Sequence, residues 1–150
     1  MQVARRTRKL VAAGVLGLLA APGVVACSDE PEELPAALTC TLFYRPEAGS
    51  AAGEEHVDLT VPRADHLTPA PERATFEGLV VEVTYTGEAP EGRNVRVVVS
   101  SGDALLLTSL YQVEPGSALD GQFGAHGFTG LQYVRDGDAE LQFTCAPAES

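Results

Sequence analysis

The chain has no tryptophan and one methionine, and phenylalanine and tyrosine together make up 6% of it. A large aromatic core is therefore excluded, and a domain of this size needs a further source of stability. Lysine occurs once, at Lys9. Beyond the N-terminal segment there is no lysine for a Ser-x-x-Lys nucleophile or for the end of a phosphate-binding loop. The three histidines stand in the contexts EEHVDL, RADHLT and GAHGFT, and no His-x-x-x-His or Cys-x-x-Cys pair gives a zinc ion local ligands. Nor does a Gly-x-Ser-x-Gly elbow frame any serine. No amphipathic run reaches helical length, which points away from helical folds.

What is present begins with a sharp contrast. Arg5, Arg6, Arg8 and Lys9 precede an uncharged stretch from Leu10 to Ala26, rich in alanine, glycine, leucine and valine and broken by Pro22. A basic segment followed by an apolar one is the pattern of an export signal. The apolar run is shorter than the roughly 20 residues that a spanning helix needs. It ends at Val24-Val25-Ala26-Cys27, directly before the acidic SDEPEELPAA of residues 28–37.

The Val-Val-Ala-Cys seam resembles the lipobox of bacterial lipoproteins, and the resemblance covers residues 1–27. It implies that residues 1–26 are removed as a signal peptide. Cys27 then becomes the first residue, carrying a diacylglyceryl thioether and commonly an N-acyl chain such as palmitate. A thiolate is the nucleophile suited to that chemistry, and two or more acyl chains hold a protein stably where one does not. The implied location is the cell envelope, on the outer face of the inner membrane or on the outer membrane. Removing residues 1–27 leaves twenty-one acids against six arginines. Such a charge argues against nucleic acid and against electrostatic adhesion to an anionic leaflet. The expected partners are the membrane, through lipid at Cys27, and an unidentified protein or envelope ligand.

Residues 27–37 read as the lipidated cysteine and an acidic tether, too poor in apolar side chains to pack. Residues 38–150 read as one all-β domain. The pattern there has period two, with turn residues every eight to twelve positions, as in a single antiparallel sandwich or, alternatively, a small barrel. Strands are predicted near Leu38–Arg45, Val57–Val61, Leu79–Thr86, Asn94–Ser100, Ala104–Val113, Thr129–Val134 and Asp138–Cys145. In VVVSSGDALLL, a loop Ser100-Ser101-Gly102 sets Val97 opposite Leu105 and Val95 opposite Leu107. In LQYVRDGDAELQF, a loop Arg135-Asp136-Gly137 sets Leu131 opposite Leu141 and Tyr133 opposite Ala139, and is preferred to a two-residue Asp-Gly turn because it keeps apolar with apolar. The core then takes Val57, Leu59, Val61, Val81, Val83, Tyr85, Val95, Val97, Val99, Leu105, Leu107, Leu131, Tyr133, Leu141 and Phe143. With Cys27 given to lipid, Cys40 and Cys145 form an even pair in an exported protein and are expected to join in a disulfide.

Three constellations bear on chemistry. Ser117, Asp120 and His126 supply the residue types of a nucleophile triad without a motif to frame them. Asp136, Asp138 and Glu140 resemble the start of a calcium loop, but the twelve-residue spacing is missing and a turn accounts for Asp136-Gly137. GQFGAHGFTG, residues 121–130, has a glycine at every third position with Phe123, His126 and Phe128 between. It reads either as a binding loop at one end of the domain or as a crossing connection whose glycines let it lie against the sheet while its phenylalanines plug the core. Nothing in these residues calls for a cofactor. The expected role is non-enzymatic binding or envelope interaction. Alternatives are a small hydrolase using His126, a periplasmic metal carrier, and an inhibitor of an envelope-attacking enzyme.

Overall fold

The computed structural model describes residues 34–65, 68–87, 92–112 and 127–148. Among them the secondary structure is all β, with no helix. The strands are β1 (Ala37–Arg45), β2 (Glu55–Ala64), β3 (Glu72–Thr75), β4 (Leu79–Thr86), β5 (Asn94–Ser101), β6 (Ala104–Gln112), β7 (Gln132–Asp136) and β8 (Ala139–Pro147). They form one sheet in the order β6-β5-β4-β2-β1-β8-β7, with β3 also paired to β4. All neighbours are antiparallel except β2 and β4, which run parallel where Arg63 meets Tyr85 and Ala64 meets Thr86. The sheet curls into a nearly closed barrel, the alternative to the sandwich in the sequence reading. β6 and β7 approach one another at its two margins without a ladder between them.

The period-two pattern produces this shape directly. On β1 the buried residues are Leu38, Cys40, Leu42 and Tyr44, alternating with half-buried ones. Across the barrel, Leu79, Val81, Val83 and Tyr85 of β4 and Val95, Val97 and Val99 of β5 face the same interior. Leu141, Phe143 and Cys145 of β8 complete it, with Phe76 and Val134. Branched side chains dominate, as suits a pleated, half-buried surface. Val57, Leu59 and Leu107 lie at the margin of the core, partly buried.

Cys40 and Cys145 are joined, with an S–S distance of 2.04 Å, and both are fully buried. They sit directly opposite one another on β1 and β8. The backbone of Cys145 turns away from β1: its amide donates to Thr129 Oγ1, and its carbonyl accepts from the amides of Phe128 and Thr129. The cysteines thus occupy a pair without mutual backbone bonds, where facing side chains come closest.

Both hairpin registers differ from those expected. The turns are two residues long, Gly102-Asp103 and Gly137-Asp138, since Ser101 pairs with Ala104 and Asp136 with Ala139. In each, glycine comes first with φ of +53° and +57°, the position at which a type II′ turn uses it. In the first hairpin a bulge after Val99 then sets Val99 opposite Leu107, and Leu105 falls opposite Ser100. Leu105 is accordingly 65% exposed and not a core residue. In the second, Val134 meets Leu141 and Gln132 meets Phe143, which turns Tyr133 to the outside at 58% exposure. A slip of one residue reverses the face of every side chain in a strand. Leu131, expected in the core, is half-buried. The four-residue β3 has no counterpart in the sequence reading, because ERAT is too short and too polar to show an alternation.

Candidate functional site

Chain direction gives the barrel two unlike ends. Strand β1 enters at one, the proximal end, where the connections β2–β3, β4–β5 and β6–β7 and the end of β8 also lie. At the distal end are the connections β1–β2, β3–β4, β5–β6 and β7–β8.

At the proximal end the backbone entering β1 is held by β2. Arg63 donates from Nη1 to the Leu34 carbonyl at 2.7 Å and from its amide to the Ala36 carbonyl at 2.8 Å. Its Nε lies 3.3 Å from Asp65. Beside it, Val61, Pro62, Arg63, Asp65, Glu72 and Tyr85 line an open cleft of about 350 Å3. Tyr85 is fully buried, and among the described residues its hydroxyl has no hydrogen-bond partner of good geometry. Burial raises its pKa; the charges of Arg63 and Arg93 oppose that rise.

The distal end is acidic. Glu54, just before β2, and Arg45, Glu140 and Arg135 on β1, β8 and β7 lie side by side, and ion pairs join them in that order. This row engages the only arginines at that end among the described residues. Glu140 is nearly buried, and hydrogen bonds from Gln142 and Arg135, with the charges of Arg135 and Arg45, hold its pKa below the ordinary carboxylate value. Around the row stand Glu47, Glu55, Glu77, Asp103, Asp136 and Asp138, all exposed. No ion pair holds any of them among the described residues. Tyr44 lies beneath this rim and donates to the Glu77 carbonyl at 2.9 Å. Burial raises its pKa, and the charges of Glu77, Glu55 and Asp136 raise it further. The Ala48 amide bonds the Asp138 carbonyl at 2.7 Å and ties two of the distal turns together. Elsewhere Asp58, Asp65, Glu72 and Glu82 are set against Arg63, Arg73, Arg93 and Arg96, so the net negative charge of the described residues is concentrated at the distal end.

The residues singled out in the sequence distribute unevenly. Cys27, His66, Ser117, Asp120, Phe123 and His126 lie outside the described residues. Phe128 is buried and meets Tyr111 edge to face, with ring centroids 6.1 Å apart. Gly127 lies so close to β8 that a Cβ there would stand 2.5 Å from the Cys145 carbonyl oxygen, and its φ of +63° also requires glycine. This end of the glycine-rich segment therefore packs onto the sheet. Asp136, Asp138 and Glu140 do not form one ligand cluster: Asp136 precedes the turn, Asp138 is its second residue, and Glu140 is engaged by Arg135 and Gln142. His56 stacks on Phe43 at 4.5 Å and pairs with Asp58 at 3.3 Å on the outer face of the sheet. Among the described residues no group of three or more metal-ligating side chains is assembled.

The acidic rim itself escaped the sequence reading. Its carboxylates come from four separate turns, and only strand direction brings them together. No local signal marks it, since every connection between strands carries at least one acid. Compared with protein-family models, with curated proteins and with solved structures, the chain shows no match.

Proposed function

We propose that this chain is an exported lipoprotein, anchored through Cys27 in the cell envelope, whose β domain binds a partner without catalysing a reaction. The observation that carries the reading is the barrel's polarity. The chain enters the barrel at one end, and at the other, among the described residues, carboxylates without ion pairs gather around four turns; the acids Glu88, Glu91, Glu114, Asp120 and Glu149 lie outside the described residues. In this reading, lipid and a tether of up to about 3.3 Å per residue keep the proximal end toward the membrane and leave the acidic rim facing outward. Anionic lipid repels that rim over a Debye length of about 8 Å at physiological salt. A positively charged partner is steered to it. The rim thereby favours one of the alternatives, inhibition of an envelope-attacking enzyme with a basic surface.

Fractionation of cells expressing the native chain and Cys27→Ser, with metabolic labelling by a fatty acid, tests the anchor. The native chain should carry label and partition with membranes. The variant should do neither, and a labelled or membrane-bound variant rejects the reading.

A further inference from the structure

Tyr85 is fully buried, and its hydroxyl is the one buried side-chain polar group among the described residues that makes no hydrogen bond of good geometry. Folded proteins seldom leave such a group unmatched, because it loses its bonds to water and gains none in return. Tyr44, the buried tyrosine at the other end of the barrel, is matched by the Glu77 carbonyl.

The fold sets a second donor beside that hydroxyl. The alternation of β4 turns Tyr85 inward, and the short parallel join pairs it with Arg63 of β2. Both residues line the proximal cleft of about 350 Å3, together with Val61, Pro62, Pro69 and Ala70. The Arg63 side chain is partly exposed; its Nη1 donates to the Leu34 carbonyl at 2.7 Å and its Nε lies 3.3 Å from Asp65. A guanidinium carries five N–H groups in a planar fork, so these two contacts leave donors over. The charges of Arg63 and Arg93 act on the Tyr85 hydroxyl more strongly than that of Asp65 does. One wall of the cleft therefore offers a neutral phenol and a cation in a positive local field, and other walls are apolar.

We infer that this cleft binds a small organic monocarboxylate, whose oxygens accept from the Tyr85 hydroxyl and the Arg63 guanidinium while its apolar body lies against Val61, Pro62, Pro69 and Ala70. Hydrogen bonds to an ionised acceptor are stronger than neutral ones, and a guanidinium fork matches a carboxylate's two oxygens. Asp65 and Glu72, which also line the cleft, repel further negative charge and so disfavour phosphate. The volume lies near the small end of the range for ligand pockets, roughly 300 to 1,000 Å3, and fits a body of a few carbon atoms. The site stands at the opposite end from the acidic rim and is independent of the partner proposed to bind there.

The probe is butyrate, followed by saturation-transfer NMR on the full chain in deuterated detergent at neutral pH. Butyrate should bind. Butyramide, which has the same body and no charge, should bind far more weakly, and added inorganic phosphate should not displace butyrate. In Tyr85→Phe the affinity for butyrate should fall on the order of tenfold, as for the loss of one charge-assisted hydrogen bond, while the thermal midpoint stays close to that of the native chain. Isotope labels on the tyrosine rings give a second readout in the native chain itself: butyrate should move the Tyr85 resonance and leave that of Tyr44 in place. Four results overturn the inference: no binding of butyrate, butyramide or phosphate competing on equal terms, unchanged affinity in Tyr85→Phe, or a Tyr85 resonance that does not move.

Discussion

The two ends of the barrel are built from the same strands and solve opposite problems. At the proximal end the chain must be fastened: Arg63 clamps the Leu34 and Ala36 carbonyls, the Cys40–Cys145 bond ties first strand to last, and Phe128 fills the interior against Tyr111. At the distal end three of the four connections are two or three residues long, and one row of alternating charges runs from Glu54, just before β2, across β1, β8 and β7, while further carboxylates face solvent without ion pairs among the described residues. A pair of buried tyrosines marks the contrast. Tyr44 at the acidic end donates to the Glu77 carbonyl, whereas Tyr85 at the fastened end has no such partner among the described residues. Among the described residues, then, the fastening contacts lie where the chain enters and the unpaired carboxylates where it turns.

Removing the proximal staple should have the largest effect on stability. The disulfide closes a loop with a sequence separation of 105, worth about 4 to 5 kcal/mol in the chain-entropy model. Chemical denaturation of the double variant Cys40→Ala, Cys145→Ala should show most of that loss, and a midpoint unchanged from the native chain would show that the ends are held by packing alone. Phe128→Ala comes next, with an expected cost of roughly 3 to 5 kcal/mol for a buried aromatic. A loss well below that range would place Phe128 at a surface and return the glycine-rich segment to the binding reading.

The two tyrosines allow one chemical change, loss of a hydroxyl, to be made at both ends. Tyr44→Phe forfeits the bond to the Glu77 carbonyl and should cost about 1 kcal/mol, while Tyr85→Phe removes a buried hydroxyl that has the Arg63 guanidinium near it but no hydrogen bond of good geometry among the described residues, and should cost less. Equal losses at the two sites would contradict the contrast. The smallest effect concerns acid. Because Glu140 titrates below its ordinary value, its ionised contacts stabilise the fold fully above about pH 4.3, the unfolded pKa, and that contribution fades as pH falls through the lower folded pKa. Glu140→Gln should therefore flatten the acid limb of the thermal midpoint measured from pH 6 to pH 3. An acid limb as steep as the native one would show that other groups control it.

How much of this was legible in the sequence follows from the range of each interaction. Alternation within a strand is local, so the strands around Leu42, Val83, Val97 and Phe143 could be read off, and so could the all-β class. The disulfide followed from cysteine parity. The hairpin registers failed because both turns put glycine first in a two-residue loop, and the penalty for exposing Leu105 and Tyr133 was weighed too heavily at strands that border an open seam. The parallel join of β2 to β4 depends on the curvature of the whole sheet and leaves no local trace. The distal rim has the same origin: Glu47, Glu77, Asp103 and Asp138 are far apart in sequence and become neighbours only when four connections fall at one end.

In the proposed orientation the end at which the chain enters lies toward the membrane and the end bearing the rim of Glu47, Glu77, Asp103 and Asp138 lies away from it. It is tested most directly by energy transfer from a lipid dye in nanodiscs carrying the full lipidated chain. A fluorescent amino acid is placed either at Asp65, exposed at the proximal end, or at Asp103, exposed at the distal tip. At about 3.3 Å per residue, the length of β6 should set the Asp103 label farther from the bilayer by roughly 25 Å on average. Equal distances, or a nearer Asp103, would contradict the account.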